Sequence, residues 1–198
     1  MPLGEPYANY NVTIVNPGYT FTIEKAEAVT GISFNDKTVV YDGKTHTLTV
    51  DGALGEDLTV TYYISGGNDL FTGAVDVKRD GTAVAGYSVT AVFESVSGNF
   101  EVPNAMTAML TVTPFTITDG DVTGIAKEYE YTGEAQSPAP VAAVVLWGTE
   151  RTLLVKDSDY EVEYSTEVPD AGTVVTVKVK STGNYQGEVS IDFTITKK

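Results

Sequence analysis

The chain has 198 residues, 12 Lys+Arg against 27 Asp+Glu, a net charge of −15, no cysteine and one histidine. These numbers exclude disulfides, thiolate metal sites, iron–sulfur clusters, a cysteine nucleophile and any centre built on two imidazoles. A strongly acidic chain repels phosphate, so neither nucleic acid nor an anionic membrane surface is an expected partner, while 42% hydrophobic residues suffice for a real core.

Met1-Pro2-Leu3-Gly4-Glu5 lacks the basic start and apolar stretch of a secretory signal. Asn11-Val12-Thr13 matches a glycosylation sequon, a three-residue pattern of little specificity. Period-two alternation, with Val and Thr abundant, then predicts strands at Thr20–Glu24, His46–Val50, Leu58–Tyr63, Tyr87–Phe93, Thr173–Val179 and Ser190–Ile195. Ala105–Leu110 is the nearest thing to a helix, but Pro103 before it and the Thr-rich run after it favour a strand. The longest apolar run, Val141–Trp147, falls far short of the roughly 18–20 residues of a membrane span. The expected fold is all-β.

Markers recur along the chain. Asn9-Tyr10, Gly98-Asn99-Phe100 and Gly183-Asn184-Tyr185 each precede a Thr-rich strand, at offsets of 99 − 9 = 90 and 184 − 99 = 85. Tyr41-Asp42-Gly43-Lys44 returns as Tyr131-Thr132-Gly133-Glu134, at 131 − 41 = 90. Two markers with one period imply two repeats, each the size of a small β-sandwich. The expected organisation is 1–25 as the C-terminal remnant of a preceding repeat, forming a β-hairpin, then repeats over 26–114 and 115–198. The chain then reads as a piece of a longer array.

The Tyr-Asp-Gly-Lys turn at 41–44, and the Gly-Asn-aromatic followed by a terminal Thr-rich strand at 86–113 and 172–196, resemble bacterial Ig-like repeats of the MBG/YDG type. The resemblance spans residues 7–196 through short motifs, and Thr132 and Glu134 depart from it. It implies tandem Ig-like β-sandwich domains in extracellular or cell-surface proteins and adhesins of bacteria, mostly without catalysis, and it transfers no catalytic residue. The residues themselves read as structural: glycine lets Asp42-Gly43 and Thr132-Gly133 turn at positive φ. Tyr41 and Tyr131 are expected to cap a core edge with the ring buried, and Gly-Asn to turn Phe100 and Tyr185 inward.

Candidate chemistry is sparse. The acid pairs Asp119/Asp121 and Asp157/Asp159 offer the hard oxygen ligands of a structural Ca2+ site, with solvated loops as the alternative. Glu161/Glu163, at i and i+2 on a strand, suit a solvated edge better than facing glycosidase carboxylates. His46 has no second imidazole and no Gly-x-Ser-x-Gly nucleophile, so it is expected at the surface. Trp147 and the pair Tyr62/Tyr63 are the candidates for stacking on a sugar, although adjacent strand residues face opposite ways, so Tyr62 and Tyr63 cannot both be buried against one core. Lys178 and Lys180 could join an Asn in an isopeptide bond. No catalytic or cofactor-binding residue is assigned. The expectation is a non-catalytic spacer that projects other domains, its partners being neighbouring repeats. The alternative is an adhesive module that binds glycan or host protein through loops or exposed aromatics.

Overall fold

A computed structural model describes Gly18 and residues 22–80, 83–166 and 169–198; for residues 78–80 and 83–85 it describes the backbone alone. The hairpin expected within 1–25 and the sequon at Asn11 fall almost wholly outside these residues. Thr22–Lys25 are not in a strand, and Ala26 forms a single parallel bridge with Phe100.

The chain is all-β and built as a sandwich. Its first half contributes β1 (Lys37–Val40), β2 (Leu58–Ile64), β3 (Lys78–Asp80), β4 (Ala83–Ala85), β5 (Tyr87–Ser95) and β6 (Met106–Thr113). The second half contributes β7 (Phe115–Thr116), a 3-10 turn (Asp119–Asp121), β8 (Val122–Thr123), β9 (Glu128–Glu130), β10 (Val141–Val144) and β11 (Thr152–Leu153). It continues with β12 (Tyr160–Tyr164), β13 (Val174–Ser181), β14 (Tyr185–Gln186) and β15 (Glu188–Thr196).

One topology occurs twice. The first four-stranded sheet has the order β1-β6-β5-β2 and the second β9-β15-β13-β12. In each, the short first strand lies parallel to the last and the remaining pairs are antiparallel. The alternation seen in the sequence decides the faces. In β5, Val89, Ala91 and Phe93 are buried, while Thr90 and Glu94 face away. In β13, Val175, Val177 and Val179 are fully buried, and Lys178 and Lys180 are exposed.

The first core joins the inner face of its four-stranded sheet to Phe34, Leu48, Phe71 and Ala74 from the opposing layer. In the second half, Val122, Ala142 and Val144 of the β11-β10-β8 layer, with Leu154 just past β11, pack on Tyr160, Val179 and Val189. A further cluster, Val175, Val177, Phe193 and Ile195, extends toward Tyr129. Burying each of the Val, Leu, Ile and Phe side chains among these contributes about 1.5–3 kcal/mol.

The opposing layer of the first half departs from expectation. His46–Val50 is not a continuous strand; His46 bridges Ala74 and Asp51 bridges Ser33, one pair each. Glycines explain the interruptions. Gly52 sits at φ +102 and Gly73 at φ +121, next to these bridges, so the backbone turns out of the ladder after one pair.

Candidate functional site

Where β1 ends, the Tyr41 N–H donates to the Thr113 carbonyl at 2.8 Å, which fastens Tyr41 beside the exit of β6. Asp42 then closes the turn: its Oδ1 accepts the Lys44 N–H at 2.9 Å and lies 2.9 Å from His46 Nε2. A carboxylate only accepts, so Nε2 carries the proton. Desolvation pushes the Asp42 carboxyl up, but the Lys44 N–H and His46 outweigh it and hold the group below its ordinary range. His46 is therefore half-buried and engaged rather than a free surface residue, because Asp42 in the turn reaches back to it.

The facing element is built on Gly183, at φ +66, which turns the chain into β14. The Phe115 N–H donates to the Asn184 carbonyl at 3.0 Å, and Tyr185 pairs with Phe115. Asn184 then bonds across the joint with both ends of its amide. Its Oδ1 accepts the Val77 N–H at 2.8 Å and its Nδ2 donates to Asp76 Oδ1 at 2.8 Å. Tyr185 is buried, and its ring meets Tyr41 in an edge-to-face contact with centroids 5.5 Å apart. Burial first, then the neighbouring Tyr41 and Asp159, push the Tyr185 hydroxyl well above the ordinary tyrosine value.

Lys44 completes the joint by placing its Nζ 4.4 Å from the centre of the Trp147 ring. Tyr41 packs against both the first-half core and the second-half core. Between the sheets only Pro114 separates β6 from β7. Aromatic contact, a two-ended amide and a cation over a ring act at one place. Such an arrangement can hold two sheets at a set angle.

The other candidates are placed apart from one another. Asp121 Oδ2 accepts the Thr118 N–H and hydroxyl, each at 2.8 Å, and Arg151 stands 3.9 Å from Asp121 Oδ1. Asp119 shares that 3-10 turn. Asp159 Oδ2 accepts the Val155 N–H at 2.8 Å, and Asp157 takes φ +66 in the same turn. One carboxylate of each pair, Asp121 and Asp159, thus closes a turn, and Asp119 and Asp157 lie in those turns. Among the described residues no three His, Asp or Glu side chains converge as a metal site would need. Glu161 and Glu163 lie across from Lys180 and Lys178 on the outer sheet face. Those lysines are solvent-facing, away from the core setting an isopeptide bond requires.

Tyr62 and Tyr63 do face opposite ways. Tyr62 turns inward, its ring 5.7 Å from Phe34 and its hydroxyl accepting the Val50 N–H at 2.9 Å. Tyr63 turns outward and lines an open concavity of about 420 Å3 with Gly66, Gly67, Asn68, Thr90 and Val92. Trp147 is 58% exposed but lies at the joint under Lys44, so the candidate aromatics form no common platform. In sequence the turns at 41–44 and 183–185 are separate structural markers, and nothing local to either shows that they meet through Tyr41 and Tyr185. The signal available was their shared period.

No family profile and no curated protein matches the chain. Among solved structures, the crystal structure of Drosophila N-cadherin EC1-4 is similar at 11% identity, covering 88% of this chain and 50% of that one, with a TM-score of 0.34. This chain therefore spans half the length of that structure.

Proposed function

We propose that the protein is a non-catalytic spacer of a secreted or surface-exposed bacterial protein, made of two tandem sandwich units that hold a fixed angle and project other domains. The observation that carries this reading is the joint: Tyr41 belongs to both cores, and Asn184 bonds across with both ends of its amide. A single intervening residue, Pro114, leaves little slack for independent motion. The resemblance of the 41–44 and 183–185 motifs to MBG/YDG repeats supports a bacterial surface setting, and a net charge of −15 favours solubility of such a rod. Rotational diffusion measured by NMR relaxation tests the reading. Both units should report one common anisotropic tumbling; separate isotropic correlation times would overturn it.

A second reading, an adhesive module, draws on Tyr63. Its outward ring, the Asn68 amide and Thr90 border the concavity described above, a setting suited to a sugar face. Titration with a panel of oligosaccharides should then shift Tyr63 and Thr90 resonances saturably, and Tyr63→Ala should abolish the Thr90 shift. A panel without saturable shifts removes this reading.

A further inference from the structure

Tyr131 leaves β9 as Tyr41 leaves β1. Its N–H donates to the Thr196 carbonyl at 2.9 Å, where Tyr41 bonds Thr113 at 2.8 Å. Gly133 takes φ +79 where Gly43 takes +73. The Glu134 N–H bonds Thr132 Oγ1 at 3.3 Å, as the Lys44 N–H bonds Asp42. Two things differ. Tyr41 is covered by the second half, whereas Tyr131 is 38% exposed, and Glu134 stands where Lys44 does.

We propose that this end face is a seat for a further unit of the same fold, joined in series after Thr196 and presenting its own Gly-Asn-aromatic turn to Tyr131. This inference rests on the spacer reading and names the partner of its second joint. The geometry supplies the occupant. The chain leaves β15 beside Tyr131 as it leaves β6 beside Tyr41, so the next residues emerge at the seat itself. The complementary part also recurs within the chain: the Ala26 N–H donates to the Asn99 carbonyl at 2.8 Å just as the Phe115 N–H does to Asn184. Charge then specifies the partner further. At the inner joint Lys44 lies over an aromatic ring; at the outer seat Glu134 calls for a basic side chain at that place, so the two joints are not interchangeable.

The test is residues 1–196 followed directly by a second copy of residues 114–198, which reproduces the inner spacing. Surface nitration of Tyr131 is read by peptide mass spectrometry beside that of Tyr41. Tyr131 in the extended chain should react several-fold more slowly than in the original. Glu134→Lys, which restores a cation for the added copy's tryptophan, should slow it further. Tyr131 that stays as reactive as in the original chain, with and without Glu134→Lys, while Tyr41 stays protected, would overturn this inference and leave the spacer reading intact. Reactive Tyr41 together with independently tumbling units would sink both. Protection of Tyr131 in the unextended chain that grows with protein concentration would make a second copy the occupant and overturn the in-series assignment.

Discussion

The ring of Tyr41 stands at 78° to the ring of Tyr185, edge against face, and this contact joins two cores. An aromatic pair of this geometry contributes about 0.5–1.5 kcal/mol beyond its buried area. A double-mutant cycle with Tyr41→Leu and Tyr185→Leu, read by urea unfolding, should return a coupling energy in that range. A coupling near zero would mean that the two rings touch without stabilising the joint.

Asn184 supplies the directional part. Asn184→Ala removes the partner of the part-buried Val77 N–H and of the exposed Asp76 and should cost about 0.5–1.5 kcal/mol. Asn184→Asp keeps an acceptor for Val77 but sets a carboxylate against Asp76. It should therefore open the angle between the units at neutral pH, as seen by small-angle scattering, and acid should partly restore it. Scattering profiles identical to the parent chain for both variants would contradict the assigned role.

The chain has one tryptophan, so its fluorescence reports on the joint alone. Lys44→Ala should change the intensity and position of Trp147 emission and cost about 0.5–1 kcal/mol, the range of an exposed cation–π contact. Lys44→Arg should keep most of that stability. Emission unchanged in Lys44→Ala would show that the ammonium does not rest on the ring in solution.

Gly52 and Gly55 separate two costs of adding a methyl group. Both have positive φ, +102 and +76. A Cβ on Gly55 meets open space, while one on Gly52 falls 2.7 Å from the Gly31 carbonyl oxygen. Gly55→Ala should lose only the backbone term of about 1–2 kcal/mol. Gly52→Ala should lose clearly more and disturb the Ser33–Asp51 bridge, which thermal denaturation and amide exchange at Asp51 will register.

High pH should weaken the fold from a defined point. Burial raises the hydroxyls of Tyr87, Tyr160, Tyr164 and Tyr185 above the ordinary 10.0. The native state then holds protons that the unfolded chain releases above pH 10.0, so this contribution is complete below that pH and is lost as pH rises beyond it. Melting temperatures should fall from about pH 10 upward, and Tyr185→Phe should make the fall shallower. An unchanged slope in that variant would assign the loss to the other tyrosines.

The long strands were legible because period-two alternation is a local property: Leu58–Ile64, Tyr87–Ser95 and Glu188–Thr196 each carry it unbroken. His46–Val50 alternates equally well, yet its neighbours turn away at Gly52 and Gly73, and strand pairing depends on those neighbours. The joint was legible only in its parts. Gly183-Asn184-Tyr185 announces a turn, but the partners of Asn184, at Asp76 and Val77, lie in a loop with no periodic signal. Tyr41 and Tyr131 read alike in sequence and differ in burial because only one has a sheet placed against it.

Each four-stranded sheet carries its parallel pair next to the place where the chain leaves it, β1 with β6 and β9 with β15. Pulling on the two ends of the chain drags such partners along their length in opposite directions. The rungs between Lys37–Val40 and Leu110–Thr113 then bear load together, in shear, instead of parting one at a time like a zipper. Resistance to force is set by an unfolding rate and not by equilibrium stability. Equilibrium stability and resistance to tension are on this account set by different parts of the fold.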